Sequence, residues 1–308
     1  MVMRLVVMAV AVWFSAIPLM SQNSIDIFAV SGRLGLPTPY DPELPEKAQE
    51  SGALVNLKIP VILSEKSIWF SNFSYTWSRV SNGLTLPAEV VNPIDLHGFV
   101  LQTGLVQRID EKRAFQLLFV PRFMSDFIAP GKDAWQFGAV GLYENKFGEN
   151  LLMRFGVMYN QELSGPLLVP LIDIDWKFAP HWSITGLIPI YGKVNYKLNE
   201  KLTTGISMFG LVTSYALSDP LYNTDYMERT SIDLTLFAKW NLAGNIFMEG
   251  RIGYALARNY NQYDKSEKVD LKVSIVKFGD NRGEPINPVF SDGGIAELRL
   301  VYSLNLPD

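Results

Sequence analysis

The sequence predicts an all-β protein: an antiparallel transmembrane β-barrel of about 14 strands, with 12 as the alternative, preceded by an N-terminal signal peptide. Three observations carry this. From Ser24 onward, apolar and polar residues alternate in segment after segment, the period-two signature of strands with different surroundings on their two faces. The chain is unusually apolar and aromatic for an exported protein, at 48% and 12% of 308 residues, and only 19% of it is charged. After residue 21, no segment approaches the ~20 apolar residues that a membrane helix needs.

The N-terminus has the order of a secretory leader. Arg4 supplies the charged region, residues 5–17 the apolar core, and Leu19-Met20-Ser21 a cleavage site before Gln22. The apolar run is short for a membrane anchor. Residues 1–21 are therefore assigned to the signal peptide and residues 22–308 to one barrel domain. The chain has no cysteine, which excludes disulfides, thiol catalysis, Cys-based zinc sites and a lipoprotein anchor. A net charge of −4 without any long basic block excludes a nucleic-acid surface. No phosphate-cradling loop or nucleotide fingerprint appears, so no cofactor is expected.

Taken in order, the alternating segments are these. In residues 68–78, Trp69, Phe73, Tyr75 and Trp77 share one face with Ser71, against Asn72, Ser74, Thr76 and Ser78, with Ile68 and Phe70 on that second face. Phe115, Leu117, Phe119 and Phe123 oppose Gln116 and Arg122. Trp135, Phe137, Ala139 and Tyr143 oppose Gln136, Gly138 and Glu144. Met153, Phe155, Val157 and Tyr159 oppose Arg154 and Asn160, and Ile172, Ile174, Trp176 and Phe178 oppose Asp173, Asp175 and Lys177. Leu234, Leu236 and Trp240 oppose Asp233, Thr235 and Lys239, and Met248, Ile252 and Tyr254 oppose Glu249 and Arg251. Aromatic residues recur near the ends of the stripes, as interfacial girdles do. A soluble sandwich would also alternate, but its outer face would be rich in Lys and Glu. Here the polar face is Gly, Ser, Thr and Asn with sparse charge, which suits a lumen.

Tight turns are predicted at residues 64–67, 109–112, 145–149, 179–181, 199–201 and 241–245. Longer loops are predicted at 35–51, 80–93, 125–133, 161–168, 217–229 and 261–290. Barrels keep short turns on the periplasmic side and long loops outside. That alternation holds if residues 24–34 form the first strand and residues 182–196 are split by a tight turn near Tyr191-Gly192-Lys193. Residues 269–278 inside the last loop are themselves strand-like and would form an outer hairpin or extend the wall.

The run from Gly294 to Leu306 ends the pattern. Ala296, Leu298, Leu300, Tyr302, Leu304 and Leu306 lie on one face, against Glu297, Arg299, Ser303 and Asn305. It resembles the terminal strand of outer-membrane barrels that the barrel assembly machinery reads, although many of those end in Phe or Trp and this chain ends Leu306-Pro307-Asp308. In a barrel it pairs with the first strand.

The stretch Pro170-Leu171-Ile172-Asp173-Ile174-Asp175-Trp176, then His181-Trp182-Ser183, then the residues from Leu187 through Pro189 to Tyr196, resembles a family of outer-membrane β-barrels from Bacteroidota. The shared features are a Pro-led strand, a short turn with Trp, a Leu-Ile-Pro strand end and a Tyr-containing hairpin. The resemblance implies a barrel in the outer membrane, in contact with its lipid, and implies no substrate and no catalytic residues.

The inward charges form the candidate site. Glu249 and Arg251 on the penultimate strand are expected to face Glu297 and Arg299 on the last, since cross-strand opposite charges neutralise one another. Arg154, Asp173 and Asp175 add to the set, with Lys177, Asp233 and Lys239 further round. Such a set either fills the lumen or forms a charged constriction that selects small solutes. A passive pore or solute channel is the leading expectation. A closed structural or surface-interaction barrel and a transporter of hydrophobic compounds are the alternatives. Asp173 and Asp175 alone are too few ligands for a hard cation. His181, Ser183 and Asn195 have the residue types of an outer-membrane phospholipase triad. His181 sits beside Pro180 in a tight turn, however, and Ser183 would point away from lipid, so no enzymatic activity is expected. His97 is expected in the wall near an interface.

Overall fold

The computed structural model describes residues 24–40, 44, 46–222 and 225–305, so the leader expected over residues 1–21 and Leu306 lie outside the described residues. Fourteen wall strands form one closed antiparallel sheet. They are β1 (Ser24–Gly35), β2 (Lys47–Ser64), β3 (Ser67–Ser81), β4 (Ile94–Arg108), β5 (Arg113–Ser125), β6 (Trp135–Lys146) and β7 (Leu151–Glu162). Then come β8 (Gly165–Ala179), β9 (Trp182–Ile188), β10 (Tyr191–Lys197), β11 (Leu202–Ala216), β12 (Tyr226–Ala243), β13 (Ile246–Tyr263) and β14 (Gly293–Asn305). Closure runs from Ser24 opposite Asn305 to Gly35 opposite Ile295. Pairing the first strand with the last leaves neither end of the sheet as an open edge, which hydrocarbon surroundings require. Among the described residues, no helix is long and apolar enough to cross a membrane.

The lipid-facing side is the alternation made visible. Leu236, Ile252, Leu298 and Leu117 are 58–65% exposed although each sits mid-strand. Their chain neighbours Thr235, Arg251, Glu297 and Gln116 point inward. Phe28, Phe73, Phe119, Phe137, Phe155 and Ile172 extend the same apolar belt round the wall. Large apolar side chains in these numbers are not left in water by a folded domain, so the belt is a membrane-spanning surface. Trp69, Trp176, Trp182 and Trp240 rim it near one end, and Trp135, Tyr159 and Tyr254 near the other. The indole of Trp69 donates to Thr103 Oγ1 at 3.0 Å, and that of Trp77 to Asp95 Oδ1 at 2.7 Å, so both polar tips are satisfied at the girdles. His97 lies on this outer face, its Nδ1 2.8 Å from the Tyr75 hydroxyl and its ring against Phe127, as expected for an interfacial residue.

The six predicted tight turns all lie at one end of the barrel, with Ser24 and Asn305. This is the turn end; the opposite one is the loop end. Two loop-end connections depart from expectation. The loop expected over residues 161–168 is only the turn Leu163-Ser164, because Gly165 takes φ +116° and restarts the strand at once. The turn expected near Tyr191-Gly192-Lys193 falls slightly earlier, at Pro189-Ile190. Strands also run further than expected toward the loop end. β2 begins at Lys47 and β12 at Tyr226, both inside segments expected to be loops. The hairpin expected within residues 269–278 forms as Leu271–Val273 against Val276–Phe278, and its first arm lies parallel to β8, with Lys272 opposite Leu167.

The expectation of a polar lumen holds only toward the turn end. Toward the loop end, Ala48, Val80, Ile94, Leu96, Met124 and Met227 pack with Tyr40, Tyr260 and Phe290 into an apolar core inside the barrel. A second core, Leu118, Val120, Val140, Leu142, Leu167, Val169 and Leu171, lines the inner faces of β5, β6 and β8. Much of the inner face of the upper strands is thus apolar as well, and it meets a plug built from loops and neighbouring strands.

Candidate functional site

The inward charges fall into two groups separated along the barrel axis. Toward the turn end, register places Glu249 opposite Arg299 and Arg251 opposite Glu297, as expected. The ion pairs are then sorted by reach. Arg251 holds Glu297 at 3.2 Å and Glu249 at 2.6 Å. Arg299 turns instead to Asp26, at 3.9 Å. Lys193, on β10, reaches both oxygens of Glu249, on β13, at 2.8 Å and passes 4.6 Å over the Phe237 ring. Two strands lie between them, so this pair is a chord of roughly 14 Å across the inner wall, at about 4.8 Å per strand step. Lys239 to Asp26, at 3.6 Å, is a second chord, from β12 to β1.

Arg154 stands on the other side of the lumen. It holds Glu144 at 2.7 Å and Asp173 at 2.5 Å. Asp175 follows two residues on, facing inward opposite Thr185. The seven expected residues therefore divide between two patches, Arg154 with Asp173 and Asp175, and Glu249 with Arg251, Glu297 and Arg299. The two patches are not one ring. Lys177 lies exposed near the turn end, outside both.

Space remains between these patches. Tyr191 and Phe209, register partners on β10 and β11, point inward yet are 44% and 38% exposed. Asn195 donates to Ser183 Oγ at 3.3 Å, beside them on the lumen wall. His181 is elsewhere: its Nδ1 meets the Lys197 carbonyl at 2.9 Å in the exposed turn. The three residues with triad chemistry are therefore not assembled. A cavity of about 800 Å³ also occurs on the outer wall, where Gly32, Ala238, Gly250 and Ala296 leave the surface thin between Leu236 and Leu298. Its lining is mostly outward-facing, so it belongs to the lipid side and not to the passage.

Toward the loop end the charges are buried and shared. The Glu50 carboxylate, 1% exposed, receives Arg33 and Arg229 at 3.1 Å, Arg258 at 3.2 Å and the Tyr260 hydroxyl at 2.7 Å. Arg33 also bonds Asp233, which accepts from Ser231 Oγ at 2.6 Å. Arg258 ties the hub to the loops, donating to the Ser291 carbonyl at 2.9 Å and Thr38 Oγ1 at 2.9 Å and stacking 4.0 Å over Phe290. A second hub is Glu228, held by Lys272 at 2.9 Å, Lys277 at 3.0 Å and Arg282 at 3.4 Å. In the loop itself Arg282 pairs with Asp280 at 2.8 Å, and this bond holds the Asp280 carboxyl below its ordinary range. A third is Arg122, which grips Glu162 and Gln136, each at 2.8 Å. Glu162 in turn accepts from the backbone and hydroxyl of Ser214, at 2.9 and 2.7 Å, and Gln136 donates to the Ser214 carbonyl at 2.8 Å. The upper part of β11 therefore crosses inside the barrel to meet β6 and β7.

None of these hubs was singled out in the sequence. Glu50, Glu228 and Arg229 lie in stretches that read as loops, where charge is unremarkable. The one available signal was Tyr260, Met227 and Ala48 beside them, apolar on the face that elsewhere is polar.

No curated protein matches the sequence. Among solved structures, an outer membrane channel from Pseudomonas putida F1 is similar, at 11% identity and a TM-score of 0.46, over 95% of this chain and 98% of that one. The translocator domain of the autotransporter NalP from Neisseria meningitidis is similar at 10% identity and a TM-score of 0.35, over 96% and 92%. The NanC porin is similar at 10% identity and a TM-score of 0.38, over 89% and 100%. In sequence, residues 55–273 match one family throughout, a span running from the middle of β2 into the loop-end hairpin, and the chain belongs to that family, described as a domain of unknown function (DUF6268).

Proposed function

We propose that the protein is a channel of a Gram-negative outer membrane for small solutes, closed at its loop end by its own side chains and loops in the state seen here. The observation that carries the reading is the accessible space inside the turn half. Tyr191 and Phe209 point inward and stay exposed beside the paired charges of Lys193, Glu249, Arg251 and Glu297. Paired charges with room between them attract ions of either sign and let a few side chains set the preference. The short turns support a periplasmic turn end and an outward loop end. The terminal strand supports delivery by the barrel assembly machinery, and the resemblance to Bacteroidota barrels supports an origin there. Catalysis is not part of this reading, since His181 and Ser183 are engaged apart from one another.

The test is single-channel conductance of the refolded protein in a planar bilayer, with Arg251→Ala and Arg299→Ala beside it. The expected result is rare steps from the parent chain, with ion preference moving toward cations in both variants. A folded, inserted protein that stays silent in all three overturns the channel reading and favours a closed structural or surface-interaction barrel, which the buried hubs at the loop end would also suit.

A further inference from the structure

The wall has a gap at mid-membrane depth. β9 and β10 are seven residues each, whereas β8 and β11 beside them have fifteen. Their hairpin ends at Ile188, whose register partner Ile172 lies in the lipid-facing belt level with Phe155. Beyond that row, residues 165–171 of β8 and 210–216 of β11 have no β9 or β10 partner. The belt continues past this point on β7, through Val157 and Tyr159. The gap therefore opens toward hydrocarbon and not toward water.

Two things fill it. From inside, the upper part of β11 lies behind β8, and Val212, Leu187 and Ile190 pack on Leu167, Val169 and Leu171. This contact is side chain on side chain, with no backbone ladder joining the two strands. From outside, the hairpin Leu271–Phe278 adds to the free edge of β8, with Ser274 N donating to the Leu168 carbonyl at 2.9 Å. The hairpin turns Ile275, Val276 and Phe278 outward, each more than half exposed, in line with the belt. Its anchor is Lys272, buried between Ser164 and Glu228.

We propose that this seam is a lateral door through which apolar molecules dissolved in the membrane exchange with the barrel interior, and that the hairpin Leu271–Phe278 is its latch. The physical reason is that apolar packing without a backbone ladder can part and re-form, whereas a laddered strand pair must break several hydrogen bonds together. The ligand is a hydrocarbon chain or ring, because the side chains that face the opening, Leu167, Val169 and Leu171 with Leu187, Ile190 and Val212, are aliphatic. The proposal is independent of ion passage, so a silent bilayer leaves it standing.

The chain has no cysteine, so an engineered bridge is unambiguous. Leu168 and Val273 are register partners, and adjacent strands are spaced within the reach of a disulfide. The experiment uses the full-length barrel carrying Leu168→Cys and Val273→Cys in phospholipid vesicles. The vesicles contain a diazirine-bearing fatty acid or, separately, a diazirine-bearing alkylbenzene. After irradiation, labelled residues are mapped by mass spectrometry. With the bridge reduced, label is expected on Leu167, Val169, Leu171 and Val212 as well as on outward Phe155 and Ile172. With it oxidised, the first four are expected to lose label and the last two to keep it. Glu228→Gln, which loosens the latch without the bridge, should raise seam labelling about tenfold, with Phe155 and Ile172 unchanged as the control for folding. The two probes separate lipid acyl chains from free hydrocarbons as the source. Seam labelling that persists when the bridge is closed, or that is missing with both probes in the reduced and Glu228→Gln proteins, overturns the proposal.

Discussion

The two halves of the lumen use the same chemistry to opposite ends. Toward the turn end, Arg251, Glu297 and Lys193 are ion-paired around a buried Glu249, on a wall whose own side chains stay partly exposed to open space. Toward the loop end, Glu50 collects three arginines and a tyrosine where Tyr260 and Phe290 exclude solvent. A charge pair beside water can exchange partners at small cost. A charge in an apolar core cannot, because losing a partner leaves an ion without hydration. One half is thus a lining and the other a lock, although a count of charged residues would not tell them apart.

The largest effect is expected at the lock. Glu50→Ala strands Arg33, Arg229 and Arg258 in the core and should cost about 3–5 kcal/mol, read as a lower urea midpoint for unfolding from lipid vesicles. Glu297→Ala in the lining should cost about 1 kcal/mol or less in the same assay. Equal losses would mean that both halves are packed alike. The outer wall gives the next largest effect. Leu236→Arg places a cation in the apolar belt and should destabilise by about 2–4 kcal/mol in vesicles. A cost near zero would mean that this surface does not meet hydrocarbon.

The smallest effect lies in the outer loops. Lys265 bonds Asp133 at 2.7 Å and holds its carboxyl below the ordinary range. Its folded value being depressed, this contact contributes above the unfolded pKa of Asp, near 4, and is lost as pH falls through the lower folded value. The pair is about half exposed, so the gain is a fraction of a kcal/mol. Titration of Asp133 followed by carbon-detected NMR should show its pKa returning toward the usual range in Lys265→Ala. No movement would mean that the loop contact is not formed in solution.

The wall was legible in the sequence because lipid outside and polar groups inside impose period two without ambiguity. Trp69 to Trp77 and Leu298 to Tyr302 face as the alternation says. The count of 14 followed from keeping short and long connections at opposite ends. The lock was not legible. Ile94, Leu96 and Met124 are apolar on the inward face, so alternation disappears where the plug begins, and a strand with two apolar faces cannot say which one meets lipid. The turn at Leu163-Ser164 hid for another reason: Glu162-Leu163-Ser164-Gly165-Pro166 has loop composition, but Gly165 compresses the reversal to two residues. In the lining, register was predictable for Arg251 and Glu297. The long chord from Lys193 to Glu249 was not, since it depends on curvature that brings β10 and β13 face to face.

The Glu50 hub also sets an order of events in folding. Its partners come from both ends of the chain: Arg258 is 208 residues away, Tyr260 is 210, and Arg229 is 179. Each wall hairpin can form from neighbours, but this knot needs β1, β2, β12 and β13 already brought round to one another. Joining such distant segments carries a loop-closure cost that only a nearly finished sheet has met. The Glu50 knot is therefore expected among the last contacts to form, after the strands that carry its partners have come round to one another.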